Sequence, residues 1–91
     1  MARILSAETC AEIKRIRADE TAYAATEKGW MCEGSDVFTE NGLIFFNNDT
    51  DEAVYTNNKA DVLRSDLSET NISDIMPFIK VECRIAQLVE G

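Results

Sequence analysis

The chain has 91 residues, with 17 acidic and 9 basic side chains, a net charge of −8 and no histidine. A chain of this length forms one small core, so we expect a single domain over residues 1–91. No apolar run reaches the roughly 18 residues of a membrane helix, and no secretory signal is visible. Three cysteines favour free thiols in a reducing cytoplasm.

The first predicted element is a long amphipathic helix over residues 6–28. Ser6 is suited to the N-cap position, and apolar side chains follow at three- and four-residue steps up to Tyr23. Gly29 is suited to end the helix because glycine adopts the left-handed backbone conformation at little cost. We expect Trp30 to fill the core between this helix and a sheet, rather than to anchor an exposed interface.

The middle of the chain predicts a β-meander. Asn41-Gly42 stands between two apolar runs and favours a hairpin whose register pairs Phe38 with Phe45. A third short strand is predicted over residues 53–56, followed by a second helix over residues 58–68. Because both faces of the hairpin are apolar, one face should pack on a helix, and the other should be partly covered or form an interface.

The last segment fits two structures. Alternating apolar residues after Pro77 predict a strand, whereas Phe78, Val81, Ile85 and Leu88 also fit one face of a helix. We favour the strand because proline resets the chain toward extended structure. The predicted fold class is therefore α+β, with a long N-terminal helix, a three-stranded antiparallel β-meander, a second short helix and a C-terminal strand.

Catalytic and metal-binding patterns are weak. Most acid–base and triad mechanisms use histidine, which is absent, and there is no phosphate-binding glycine loop, so we expect no enzymatic activity and no cofactor. Asn47-x-Asp49-x-Asp51 imitates the start of an EF-hand loop, but Glu52 stands where glycine is needed and Asn58 where glutamate is needed. We therefore expect no metal site.

The charge distribution carries the functional hypothesis. Residues 31–70 contain nine acids and two bases, and such a cluster costs stability by self-repulsion. An array of carboxylates can imitate a phosphate backbone and occupy a basic DNA- or RNA-binding site on a partner protein. The predicted partner-binding residues are Asp36, Glu40, Asp49, Asp51, Glu52, Asp61, Asp66 and Glu69. With so few bases, we expect no direct binding to nucleic acid and none to membranes.

Two alternatives remain open at this point. The acidic surface could serve solvation alone, in a small interaction or homo-oligomeric structural protein that dimerises through Val37, Ile44 and Phe46. The chain could also be an antitoxin-like binder of a basic surface. The sequence allows either a monomer or a homodimer.

A family resemblance runs from Trp30 through Glu33-Gly34, a hairpin around Phe38, Asn41 and Leu43-Ile44, a Tyr55 strand, and Lys59-Ala60-Asp61. In these features the chain resembles small acidic DNA-mimicking anti-CRISPR proteins of phages, the group that includes inhibitors of the type I-F Cascade complex. The resemblance implies an inhibitor whose partner is a basic nucleic-acid-binding protein such as a CRISPR effector complex. Residues 78–85 are balanced in charge, where the family ends in an acidic helix, so the resemblance implies the mode of action and leaves the target open.

Overall fold

The computed structural model describes residues 5–33 and 42–90, with the backbone alone at Glu69, Thr70 and Glu90. The elements in chain order are α1 (Ala7–Arg17), α2 (Glu20–Glu27), β1 (Trp30–Glu33), β2 (Leu43–Asn47), β3 (Glu52–Thr56), β4 (Val62–Ser65) and α3 (Glu69–Glu90). The fold is α+β. The predicted arrangement is wrong, because the described sheet has four strands and the long helix is the last element instead of the first.

The predicted first helix is divided into α1 and α2. Ser6 caps α1 as predicted, since its hydroxyl oxygen accepts from the Thr9 N–H at 3.1 Å. The Asp19 carboxylate then accepts from the Ala22 N–H at 3.1 Å and begins α2. A single helix over residues 6–28 is therefore wrong, because this local cap replaces continued helical bonding. Gly29 follows α2 with φ +100°, as expected of a residue that ends a helix.

The sheet is an antiparallel meander in the order β1-β2-β3-β4. Phe45 in β2 pairs with Cys32 in β1 and with Val54 in β3. The predicted pairing of Phe38 with Phe45 is wrong, since neighbouring strands occupy both sides of β2 at this position. The first strand of the predicted hairpin lies outside the described residues. The predicted third strand over residues 53–56 is confirmed as part of β3.

The predicted helix over residues 58–68 is wrong. Residues 57–61 form a loop, and β4 follows. The Asn57 side-chain oxygen accepts from the backbone N–H groups of Lys59 and Asp61 at 2.9 and 3.0 Å. Ala60 has φ +67°, which belongs to a turn and not to a right-handed helix. Leu63 is 63% exposed, so the helical spacing of leucines here does not mark a buried face.

The predicted C-terminal strand is also wrong, because this segment is the second half of α3. Ile75, Phe78, Ile79 and Cys83 are buried at helical spacing and cover the inner face of the sheet. Pro77 lies inside the helix on its exposed side, so it does not interrupt this apolar face. Burial of a whole helical face outweighs the local cost of one proline.

Two apolar clusters hold the layers together. The larger cluster lies between α2, α3 and the sheet, and includes Trp30 at 7% exposure, which confirms its predicted core position. The smaller cluster packs α1 on α3 through Ile13, Ile16, Ile85 and Val89. No helix in the described part of the chain is long and apolar enough to cross a membrane.

Candidate functional site

The β2–β3 turn is fixed by one buried side chain. Asn47 is 3% exposed, and its side-chain oxygen accepts from the N–H groups of Asp49 at 2.9 Å and Thr50 at 3.3 Å. Its amide nitrogen donates to the Lys28 carbonyl at 3.1 Å and so ties the turn to the end of α2. Asp49 and Asp51 are exposed on this turn. Asp51 has φ +60°, a conformation that Asp tolerates better than most residues.

Two further acids reach the same end of the sheet from other elements. The Asp66 N–H donates to the Ala53 carbonyl at 3.1 Å, next to Glu52 at the start of β3. Asp74, in the N-terminal part of α3, lines a groove together with Glu52. We name this region the acidic end, formed by Asp49, Asp51, Glu52, Asp66 and Asp74. Four of its five members were predicted, and Asp74 was missed because it follows the acidic middle segment in sequence.

A groove of about 190 Å³ lies in the acidic end, between α2, α3 and β3. Its polar lining includes Glu52, Asn71, Asp74 and Lys28. Lys28 is the one basic residue among the described lining residues. Two carboxylates therefore face a single ammonium group, and the groove keeps an excess of negative charge.

The structure does not bring every predicted acid to this end. Asp61 lies in the β3–β4 loop, where its carboxylate accepts from the Asn57 amide at 3.0 Å. The length of β3, about 14 Å for four residue steps, separates this loop from the acidic end. Glu69 begins α3 near the acidic end, but its side chain is not described. Asp36 and Glu40 lie outside the described residues.

The acidic end is weakly neutralised by the protein's own bases. Glu12 forms ion pairs with Arg15 at 2.6 Å and with Arg84 at 3.2 Å, on the side where α1 meets α3. In residues 5–33 and 42–90, no such ion pair involves the five acids of the acidic end. These carboxylates therefore remain available to the cationic groups of a partner.

The EF-hand-like pattern is folded as a turn. The Asn47 oxygen, which would be the first ligand of such a loop, points inward to two backbone N–H groups. Among the residues that the structure describes, no three cysteine or acidic side chains are grouped closely enough to hold a metal ion.

Two titratable groups with raised pKa values belong to the core and not to the acidic end. The Cys83 thiol is 1% exposed, lies 3.7 Å from the Thr56 hydroxyl, and its pKa is raised by burial. Burial, followed by the nearby Glu82 carboxylate, raises the pKa of Tyr23 to about 12, and Arg17 opposes this shift. All three cysteines are free thiols.

The sheet face opposite α3 is a second exposed surface. Ile44 and Phe46 are half-buried on this face, which agrees with the predicted second apolar face of β2. Val37, the third residue predicted there, lies outside the described residues. Met31 from β1 is 53% exposed beside Phe46, and Tyr55 from β3 lies beside Ile44. The surface is apolar, although none of the described helices covers it.

The described elements thus define an α+β protein in which α2 and α3 cover one face of an antiparallel meander and α1 packs on α3. Its acidic end and its open sheet face are the two surfaces with unusual character. The chain matches no protein-family profile, no curated protein sequence and no solved structure. Function is therefore inferred from these surfaces and their chemistry.

Proposed function

We propose that this chain is an acidic, nucleic-acid-mimicking inhibitor that occupies a basic DNA- or RNA-binding site on a partner protein. The observation that carries the proposal is the convergence of five acids from three parts of the fold on one end of the sheet. Like charges held together cost folding stability, and a partner that neutralises them recovers that cost.

The chemistry of the acidic end matches that of a phosphate strand. Carboxylate oxygens accept charge-assisted hydrogen bonds from Arg and Lys, the same donors that grip phosphates. The resulting field also accelerates the encounter with a positively charged surface. The resemblance to DNA-mimicking anti-CRISPR proteins supports the same mode of action, and a CRISPR effector complex is a candidate partner.

The contact surface that we propose is smaller than the set of acids predicted from the sequence. Asp61 lies at the far end of β3, so one compact partner site would not contact it together with the acidic end. We therefore assign the first contacts to Asp49, Asp51, Glu52 and Asp66, with Asp74 in the adjoining groove.

A pair of charge-matched variants tests the proposal. The first variant, D49N/D51N/E52Q, neutralises the acidic end and keeps the side-chain shapes, and Asn tolerates the positive φ at position 51. The second variant, E8Q/E20Q/E27Q, removes the same amount of charge from exposed positions of α1 and α2. Both variants should fold, as judged by circular dichroism.

The readout is competition with nucleic acid. Tagged protein is used to capture proteins from a bacterial lysate at low salt, and duplex DNA or rising salt is used to release them. A purified type I-F Cascade complex with labelled target DNA is tested in parallel for displacement. We expect the acidic-end variant to capture at least tenfold less partner protein, and its capture to depend less steeply on salt concentration. The α1–α2 variant should match the wild type in both the amount captured and the salt dependence. Equal capture of partner protein by the two variants would overturn the proposal.

A further inference from the structure

The open sheet face is apolar in its central part. Strand alternation and register place Met31 beside Phe46, and Ile44 beside Tyr55, on the side away from α3. Met31 is 53% exposed, and the other three side chains are half-buried. An antiparallel sheet that is covered on one side usually presents polar side chains to water on the other. Four apolar side chains in two adjacent rows are therefore characteristic of an interface.

One row across this face has opposite charges at its two ends. The register joins Glu33 in β1, Ile44 in β2, Tyr55 in β3 and Arg64 in β4. The Arg64 guanidinium lies 5.0 Å from the centre of the Tyr55 ring, so the positive charge stands over the face itself. The acid thus marks the β1 edge of the row and the base marks the β4 edge.

We propose that the occupant of this face is a second copy of the chain, packed face to face about a two-fold axis parallel to the strands. This axis places β1 of one copy over β4 of the other, so that Glu33 meets Arg64 of the second copy. In the next row, Phe46 meets Ala53 of the second copy, and a large side chain faces a small one. These two contacts are complementary in charge and in size.

The charged row also selects this orientation over its main competitor. A two-fold axis perpendicular to the strands would place Glu33 over Glu33 of the second copy. It would likewise place Arg64 over Arg64 of the second copy. Both contacts join like charges, which is costly at an interface. The parallel axis replaces the two repulsions with two attractions.

The size of the face determines the strength of the dimer. Strands about 4.8 Å apart, with residues about 3.4 Å apart along each strand, give this four-stranded face a modest area. The buried surface falls near the lower limit of specific interfaces, roughly 1,000 Å² in total. Each copy also carries a net charge of −8, which opposes association over a long range. We expect a weak, micromolar dimer that added salt strengthens by screening this repulsion.

The dimer is separate from the proposed inhibitory function. The parallel axis leaves Asp49, Asp51, Glu52 and Asp74 outside the paired face and places both acidic ends at the same end of the dimer. Asp66, beside Ala53, lies at the edge of that face. Binding to a basic partner should weaken with salt, whereas the dimer should strengthen. Either proposal can therefore fail while the other stands.

Sedimentation equilibrium over a wide concentration range tests the proposal. The first comparison is Met31→Glu against Ala11→Glu, which places the same charge at an exposed position of α1. We expect the wild type and Ala11→Glu to dimerise. Met31→Glu should remain a monomer at every concentration tested, because the two-fold axis places position 31 opposite Asp66 of the second copy. A wild type that stays monomeric at about 500 µM would overturn the proposal. Dimerisation of Met31→Glu equal to that of Ala11→Glu would also overturn it.

A charge exchange tests the orientation of the two copies. Glu33→Arg and Arg64→Glu should each weaken the dimer about tenfold, since each creates two like-charge contacts. The double variant restores opposite charges and should regain the wild-type dissociation constant within about threefold. Urea unfolding of each variant checks that the monomer remains folded. Weakening by both single variants without recovery in the double variant would overturn the proposed two-fold axis.

Discussion

The side-chain amide of Asn47 donates to the carbonyl of Lys28 at 3.1 Å, and so links the β2–β3 turn to the end of α2 across 19 residues of sequence. The same side chain accepts from two N–H groups of its own turn. One buried residue thus positions both the turn that carries Asp49 and Asp51 and the lysine of the adjoining groove.

Asn47→Ala should lower the free energy of unfolding by about 2 to 4 kcal/mol, because it removes three hydrogen bonds and leaves a partly buried carbonyl without its donor. Urea denaturation followed by circular dichroism measures this change. Asn48→Ala, at an exposed position of the same turn, is the control and should cost less than about 0.5 kcal/mol. Equal effects of the two variants would contradict this role of Asn47.

Pro77→Ala should stabilise the protein. Proline inside a helix removes one backbone hydrogen bond and crowds the preceding turn, and its side chain is exposed here, so alanine leaves no cavity. We expect a gain of about 1 to 3 kcal/mol, since part of the helical benefit is offset by the greater freedom of the unfolded chain. Lys80→Ala, at an exposed position of the same helix, is the control. The thermal midpoint of unfolding is the measurement, and a lower midpoint for Pro77→Ala would contradict the prediction.

Tyr23 should make stability fall at high pH. Its pKa in the folded protein is raised from 10.0 to about 12, chiefly by burial. Below pH 10 the phenol is protonated in both the folded and the unfolded state. Its ionisation therefore adds no pH dependence to the free energy of unfolding in this range. Between pH 10 and about 12 the unfolded chain ionises first, so the folded state loses stability as pH rises.

The Tyr23→Phe variant isolates this effect. Urea unfolding gives the free energy of unfolding of the wild type and of the variant at each pH. The difference between the two should be constant below pH 10 and should then shift in favour of the variant as pH increases. Lysines, the other tyrosine and the thiols contribute equally to both curves and cancel in the difference. A difference that stays constant up to pH 11.5 would show that Tyr23 ionises normally in the folded protein.

The three thiols should react with a thiol-specific reagent at distinct rates. Cys10 is exposed, Cys32 is half-buried and Cys83 is 1% exposed, with a pKa that burial raises. We expect Cys10 to react first and Cys83 only when the protein opens, because the reactive thiolate is both scarce and covered. Mass spectrometry after timed labelling assigns the order, with Cys10→Ser as the reference. Early labelling of Cys83 would show that α3 separates readily from the sheet.

The features predicted correctly depend on short-range chemistry. Ser6 caps a helix, Gly29 ends one, and residues 53–56 form a strand, and each outcome follows from local residue preferences. The burial of Trp30 was also predictable, since a large aromatic side chain between a helix and a strand rarely stays in water.

Two of the failures occurred where the local residue pattern fits more than one structure. Residues 78–85 suit both an alternating strand and a helix, and the choice is made by contact of Phe78 with Phe45, which lies far away in sequence. Residues 58–68 show helical spacing, but Asn57 binds its own loop and a hairpin results. Tertiary packing and turn chemistry outweigh propensity at both places.

The candidate surface was partly predictable because charge is read directly from sequence. Four acids of the acidic end were identified from the excess of acidic over basic residues in residues 31–70. Their position at one end of the sheet depends on strand order, which was not predicted correctly from the sequence. Asp61 was misplaced relative to the others because β3 carries the chain to the opposite end of the sheet. Asp74 was missed because its neighbours in space come from β3 and α2.

The position of α3 in the chain has a consequence for synthesis. This helix supplies Phe78, Ile79 and Cys83 to the larger core cluster and Ile85 and Val89 to the smaller one. While a ribosome is still making residues 69–90, the inner face of the nascent meander therefore lacks the helix that covers it in the folded protein. Neither cluster can therefore be completed before the α3 residues that belong to it, up to Val89, have left the exit tunnel.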